Sequence, residues 1–134
     1  AGKEIISFGG RFPHSAVRRG AEINKPMNMA FDTRGRLWVT STVEYPNPAK
    51  PGTKGSDTVK VLEDTNGDGH ADKVTTFADG LNIPTGIYPY KNGAIVWSIP
   101  NIWILRDTNG DGRADKREAL FGPLGFERDT HGMN

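Results

Sequence analysis

The sequence predicts an all-β fold: a partial β-propeller of about two four-stranded blades and the start of a third, with calcium loops between strands. The acidic stretch "DTNGDG" occurs twice, and its first residues, Asp64 and Asp107, lie 43 positions apart, a spacing typical of propeller blades. Short apolar runs alternate with turns in a chain that holds 17 glycines and 9 prolines, which favours strands over long helices. The tryptophans of these runs, Trp38, Trp97 and Trp103, are expected to pack between blades.

The segments before the two loops repeat as well. "NKPMNMAFDTRGRLWVTS" (Asn24–Ser41) parallels "NIPTGIYPYKNGAIVWS" (Asn82–Ser98), and each has a proline, an extended run, a turn and a second extended run. One more apolar run precedes each loop and another follows it, which gives four strands per unit. We therefore expect blade one over residues 24–81, with an irregular insertion at 43–56, and blade two over residues 82–125.

The two ends of the sequence fit this plan less well. Residues 1–23 have no clear period and are expected to form an irregular lead-in with one strand able to close a ring. Residues 126–134, "FERDTHGMN", resemble the first strand of a third blade. Open sheet edges need cover, so the missing blades must come from a longer protein, from other copies of the chain, or from a partner. We expect a fragment of a longer protein, because the break falls within a blade.

Composition argues against several classes of partner and chemistry. Seventeen basic and sixteen acidic residues leave a net charge of +1, so no overall field attracts nucleic acid or a membrane surface. No apolar run approaches the ~20 residues that span a bilayer. The chain has no cysteine, which excludes disulfides and thiolate sites. It begins at Ala1 without a leader, which is compatible with an exported, periplasmic or extracellular protein whose signal peptide has been removed.

Both acidic loops follow the order D-x-N-x-D-G-x-x-D, a ligand set suited to a hard cation. Calcium takes about six to eight oxygens, and side chains at positions 1, 3 and 5 of such a loop converge on one point, while position 7 offers its carbonyl. Because these oxygens repel one another without a cation, we expect one calcium ion per loop. The expected ligands are Asp64, Asn66, Asp68, the carbonyl of His70 and Asp72 in loop one (residues 64–72), and Asp107, Asn109, Asp111, the carbonyl of Arg113 and Asp115 in loop two (residues 107–115).

Two other interpretations of the loops were weighed. Simple Asn-Gly and Asp-Gly turns would explain the glycines but not aspartate at positions 1, 5 and 9 in both copies. Paired EF-hands would explain Glu118 at position 12 of loop two, but Thr75 stands there in loop one and the flanking runs are β-branched and aromatic. We therefore expect the loops to join strands and Glu118 to be an exposed strand residue.

Three stretches resemble one known family: "INKPMNMAFDTRGRLWVTST", "KVLEDTNGDGHADKVTTFADGLNIPTGI" and "ERDTHGMN". They are similar to the N-terminal β-propeller of planctomycete-type membrane-bound dehydrogenases, which are related to quinoprotein glucose/sorbosone dehydrogenases. The resemblance covers residues 23–134. It implies an exported propeller of six or seven blades, with pyrroloquinoline quinone as cofactor of the full-length protein and a sugar or alcohol as substrate.

The resemblance also singles out His131. In the sugar-oxidising relatives, a histidine at the start of a blade's inner strand is the general base that takes the proton of the substrate hydroxyl. "DTHGMN" resembles that element, and a neutral imidazole suits the task; a structural histidine that lines the central channel is the alternative. The resemblance thus implies a quinone-dependent dehydrogenase that is inactive as this isolated chain. The rival interpretation is a non-catalytic, calcium-stabilised module that binds a glycan or a protein.

Overall fold

The computed structural model describes residues 23–124, which form two four-stranded antiparallel sheets. No residue in that range is helical, so the all-β prediction is confirmed for the described part of the chain. Three predictions fall wholly or largely outside the described residues: the lead-in at residues 1–23, of which only residue 23 is described, the start of a third blade at residues 126–134, and His131. Sheet one contains β1 (Lys25–Phe31), β2 (Leu37–Thr42), β3 (Asp57–Glu63) and β4 (Lys73–Leu81), and sheet two contains β5 (Gly86–Tyr90), β6 (Gly93–Ser98), β7 (Asn101–Arg106) and β8 (Lys116–Phe121).

Each sheet is a meander, because its strands are hydrogen-bonded in the order in which they occur along the chain. The sequence repeat extends to individual hydrogen bonds. The amide of Asn24 donates to the hydroxyl of Ser41 at 2.9 Å, and the amide of Asn82 donates to the hydroxyl of Ser98 at the same distance. The first and last residues of each repeated sequence segment are therefore joined by the same hydrogen bond.

The β5–β6 hairpin turns at Lys91 and Asn92, with Tyr90 and Gly93 paired on either side. The left-handed backbone conformation falls on Lys91, whose φ is 53°. Gly93 lies in the strand itself, where a Cβ would stand 1.8 Å from the carbonyl oxygen of Leu105. Position 93 therefore requires glycine because β7 approaches it closely, and not because of the turn.

The insertion at residues 43–56 is irregular, as its prolines and glycines predict, yet a buried carboxylate anchors it. Asp57 is 1% exposed. Its two oxygens accept hydrogen bonds from the hydroxyl of Thr42 at 2.6 Å, the amide of Val43 at 2.7 Å and the amide of Ile83 at 2.8 Å. Asp57 therefore joins the end of β2, the start of the insertion and the link from sheet one to sheet two.

The main apolar core lies between the two sheets. Directly paired residues of antiparallel strands lie on the same face of a sheet, so the register defines the two surfaces in contact. The central side chain is Trp38, 3% exposed, whose ring meets that of Phe77 edge to face at 4.7 Å. The facing rows are Ala30, Trp38 and Val61 from sheet one and Ile87, Val96 and Trp103 from sheet two.

Trp97 does not lie in this interface. It pairs with Gly86 and Ile102, and both partners lie on the other face of sheet two. Its indole covers Gly86, where a Cβ would come within 2.9 Å of the ring. Of the three tryptophans expected to pack between repeat units, Trp38 and Trp103 thus pack between these two sheets, whereas Trp97 lies on the outer face of sheet two.

The two sheets stack head to tail. Val61 and Ile104 hold the same position in the 43-residue repeat, and their partners in the preceding strand are Trp38 and Ile95. Trp38 and Val61 face sheet two, whereas Ile95 and Ile104 lie on the face of sheet two that points away from sheet one. Equivalent faces therefore point in the same direction.

Candidate metal centres

The two acidic loops connect antiparallel strands. Loop one links β3 to β4 and loop two links β7 to β8. Each loop is closed at its base by a 2.9 Å backbone bond, from the amide of Asp72 to the carbonyl of Glu63 and from the amide of Asp115 to the carbonyl of Arg106. The strands position both ends of each loop, so the last aspartate returns to the side of the first.

The first aspartate of each loop accepts hydrogen bonds from the turn that follows it. Asp64 accepts the amides of Gly67 at 2.7 Å and Gly69 at 2.8 Å. Asp107 accepts the amides of Gly110 and Gly112 at the same two distances. These four glycines have φ between 77° and 88°, a region that other residues enter at a cost. The glycines therefore allow the chain to wrap around the carboxylate.

The middle side chains of the loops continue the same pattern. The Oδ1 of Asn66 accepts the amide of Asp68 at 2.9 Å, and the Oδ1 of Asp68 accepts the amide of His70 at 2.8 Å. The corresponding bonds of loop two, at 3.0 and 2.8 Å, join Asn109, Asp111 and Arg113.

The threonine at the second position of each loop has a role that was not predicted from the sequence. The hydroxyl of Thr65 donates to Asp72 at 2.7 Å, and that of Thr108 donates to Asp115 at 2.8 Å; the amides of both threonines also donate to these carboxylates. The threonines thus hold the last carboxylate against the first turn. Their recurrence in both copies of "DTNGDG" is the signal that could have revealed this role.

The same bonds favour the ionised carboxylates. At Asp64, burial raises the pKa, but the amides of Gly69 and Gly67 lower it more, so the pKa lies below the ordinary 3.8. At Asp115 the hydrogen bond from the Thr108 hydroxyl is the largest cause, and the pKa again lies below 3.8. Both groups therefore carry a negative charge at neutral pH.

That negative charge has little compensation within residues 23–124. Asp68 lies 3.5 Å from the Nδ1 of His70. The other five loop aspartates form no ion pair with a described lysine, arginine or histidine, and these are Asp64, Asp72, Asp107, Asp111 and Asp115.

The donor set fits a hard cation in kind and number, although its oxygens are turned toward the loop's own amides. No three acidic or imidazole groups among the described residues converge closely enough to hold a metal as they stand. A carboxylate offers about four lone-pair sites, so the oxygens that accept amide bonds keep capacity for a cation. Calcium binding would therefore require small side-chain rotations within a backbone that is already wrapped.

The side chains of Glu118 and Arg113 have partners outside the two candidate calcium sites. Glu118 lies in β8, where it is 45% exposed and its carboxylate is 2.9 Å from the ammonium of Lys116. The side chain of Arg113 points across to sheet one, with its guanidinium 3.9 Å from the carboxylate of Asp79. Both side chains therefore engage groups outside the loops.

Loop two differs from loop one in bridging the sheets. The amide of Ala114 donates to the carbonyl of Phe77 in β4 at 2.7 Å. The guanidinium of Arg117 donates to the carbonyls of Asp79 and Gly80. Loop two and the start of β8 are thus fixed to the outermost strand of sheet one.

Residues 8–134 match the family described as a domain of unknown function (DUF7133). No curated protein and no solved structure matches the chain. In the described part of the chain, no helix has the length and apolar character needed to cross a membrane.

Proposed function

The chain belongs to the DUF7133 family, and we propose that it binds two calcium ions, one in each acidic loop, as a segment of an exported, dehydrogenase-like β-propeller protein. The observation that carries the calcium proposal is the identical construction of the two loops. Each holds three aspartates in place by matching backbone bonds, and five of these six carboxylates lack an ion pair among the described residues.

In each loop the side chains at positions 1, 3, 5 and 9 and the carbonyl at position 7 would hold the ion. Calcium would supply positive charge where the loop concentrates negative charge, and would draw the ends of two strands together. It fits better than magnesium because magnesium requires near-octahedral geometry and retains several waters. The ions are therefore proposed to stabilise the sheets.

The propeller proposal is supported by the head-to-tail stacking. The row of sheet one that contains Trp38 and Val61 packs on the face of sheet two that points toward sheet one. Sheet two carries Ile95 and Ile104 in the equivalent row on its far face, next to Tyr88, which is 58% exposed. A further sheet that packs on this face would continue the same stacking, as the next blade of a propeller does.

The dehydrogenase proposal rests on the resemblance to quinoprotein dehydrogenases and on His131. Pyrroloquinoline quinone would act as hydride acceptor in the full-length protein, with His131 as the base that takes the hydroxyl proton of a sugar. The pocket at a propeller axis requires all blades, so we expect the isolated chain to be inactive. Reduction of a dye by the full-length protein with quinone and a panel of sugars tests this, and no turnover across the panel would contradict it.

Calcium binding is tested by isothermal titration calorimetry on the wild-type chain and on Asp64→Asn, Asp107→Asn and the double variant. Asparagine keeps one of the two oxygens that accept the loop amides and removes the charge. Because these side chains are only half-buried, water can hydrate the amide left without an acceptor, so we expect the fold to be preserved while calcium affinity falls. We expect two ions for the wild type, one for each single variant and none for the double variant. Glu118→Gln is the matched control and should still bind two.

Thermal unfolding gives an independent measurement. Calcium in excess of its dissociation constant should raise the midpoint, because a ligand that binds only the folded state stabilises it; the gain is about 2.7 kcal/mol at a hundredfold excess. A chelator should reverse the shift. An unchanged midpoint together with no heat of binding would refute the calcium proposal.

A further inference from the structure

A cleft of about 470 Å³ opens between the two sheets at the end where the acidic loops lie. At its base are Trp38 and Phe77, both almost fully buried. One wall comes from sheet one and the other from the β5–β6 turn and loop two. This volume falls in the range of about 300–1,000 Å³ that small-molecule sites occupy.

Apart from the aspartates of loop two, the charged side chains of the cleft divide into two groups. The carboxylate of Glu63 lies 3.1 Å from the ammonium of Lys73 and 4.0 Å from the guanidinium of Arg36. Arg36 also pairs with Asp32 at 2.7 Å, so these two cations and two carboxylates balance in charge. Arg34 and Lys91 also line the cleft. Neither has a carboxylate partner among residues 23–124. The cleft thus contains two cations from different sheets that are available to a ligand.

Lys91 is held at the cleft in spite of its backbone conformation. Its φ of 53° is a left-handed conformation that glycine or asparagine adopts at lower cost. Its ammonium lies 5.1 Å from the centroid of the Tyr90 ring. Residues in unfavourable backbone conformations cluster at ligand-binding sites, where the role of the side chain offsets the energetic cost of the conformation.

The remaining anions of the cleft belong to loop two. Asp107 and Asp111 line it beside Lys91, and their charge opposes the binding of another anion. A calcium ion in loop two would neutralise them and leave the cleft more positive. This step rests on the proposed calcium site, whereas the presence of Arg34 and Lys91 does not.

We propose that the cleft binds the carboxylate of a small acidic ligand, of the sugar-acid class, between Arg34 and Lys91. Asn92 and Thr75 also line the cleft and provide polar groups suited to ligand hydroxyls. A second hollow of about 680 Å³ shares Arg34, but its described lining comes from sheet one and loop one and includes no lysine. The cleft between the sheets is therefore the one in which two available cations face a common space.

The test is an NMR titration of the whole chain with glucuronate and with glucose, which lacks the carboxylate. We expect glucuronate to shift the amide signals of the β5–β6 turn and glucose to leave them unchanged. Arg34→Gln and Lys91→Gln should each weaken glucuronate binding about fivefold, the scale of one exposed ion pair. Lys50→Gln, a lysine of the insertion that does not line the cleft, is the matched control and should bind like the wild type.

Repeating the glucuronate titration in the presence of calcium distinguishes the proposal for the cleft from the proposal for the calcium sites. Saturating calcium should tighten glucuronate binding about threefold at low ionic strength, and Asp107→Asn should remove that gain. If calcium does not bind at all, the dependence on Arg34 and Lys91 persists without calcium and the cleft proposal stands. The proposal is overturned by equal binding of glucose and glucuronate, by no binding of glucuronate, or by equal losses in Lys50→Gln and Lys91→Gln.

Discussion

The amide of Ala114 and the carbonyl of Phe77, 2.7 Å apart, join loop two to the outermost strand of sheet one. The side chain of Phe77 meanwhile packs edge to face on Trp38 in the core between the sheets. One residue of β4 thus serves both the polar and the apolar contact between the two sheets. The conformation of loop two and the packing between the two sheets are therefore linked through Phe77.

Phe77→Ala should destabilise the chain by about 3–5 kcal/mol, because it removes a buried aromatic ring and leaves a cavity beside Trp38. Phe121→Ala is the matched control: Phe121 is 63% exposed, and its loss should cost under about 0.5 kcal/mol. Urea unfolding followed by tryptophan fluorescence measures both. Similar losses in the two variants would contradict the central position of Phe77.

Asp57→Asn should cost about 3 kcal/mol. The carboxylate accepts bonds from one hydroxyl and from three amides, including that of Glu44 at 3.3 Å. An asparagine places an NH₂ group against these donors and leaves buried groups unpaired. Asp79→Asn, at an exposed aspartate that pairs with Lys54 at 3.2 Å, should cost less than about 1 kcal/mol. Equal urea midpoints for the two variants would show that Asp57 does not anchor the insertion.

Acid stability should depend on Asp32. Burial raises the pKa of this carboxyl, but hydrogen bonds from Trp38 and Arg36 and the charge of Arg36 lower it more, so the pKa lies below 3.8. The unfolded chain therefore takes up the proton first. The stabilisation by ionised Asp32 is complete above about pH 5 and is lost as the pH falls through the folded-state value.

Asp32→Asn provides the measurement. The difference in unfolding free energy between the wild type and this variant should be constant above about pH 5 and should shrink toward pH 2. Asp64 and Asp115 also have lowered pKa values, but they titrate in both proteins and largely cancel in the difference. A difference that stays constant down to pH 2 would refute the role of Asp32.

Lys91→Asn should stabilise the chain by about 0.5–1 kcal/mol, because asparagine tolerates the left-handed φ of this turn better than lysine does. Lys50, in the insertion, has no left-handed backbone conformation to relieve. Lys50→Asn should therefore change the free energy of unfolding, measured in urea, by less than about 0.5 kcal/mol. The same Lys91→Asn variant should lose affinity for glucuronate. A destabilised Lys91→Asn chain would show that the turn is not strained.

Local patterns in the sequence predict the sheets and the loop positions well. The alternation of apolar runs with turns indicates strands, and the 43-residue repeat places both loops between strands, because these features depend on residues close together along the chain. The face on which Trp97 lies depends on the register of β5 and β6, and a shift of one residue moves every side chain of a strand to the other face. That register follows from the turn at Lys91 and Asn92, which places Gly93 within β6.

Contacts between distant residues could not be predicted from the sequence. Asp57 bonds to the amide of Ile83, 26 positions away, and neither residue belongs to a motif. Arg34 and Lys91 belong to different sheets and meet at one cleft only after the sheets have packed. The contacts of the loop threonines, by contrast, span only seven positions and recur in both loops, so the sequence contains the signal for them.

The head-to-tail arrangement of the sheets has a consequence for how such a protein gains or loses repeats. In the proposed propeller each sheet would use one surface to pack on its predecessor and the opposite surface to pack on its successor, so the contact between two units would not limit their number. Duplication of a segment of about 43 residues adds a unit that already fits both neighbours. In that proposed arrangement the number of sheets in a closed ring would be set by the angle between adjacent sheets, and small changes in the side chains around Trp38 and Ile95 would alter that angle.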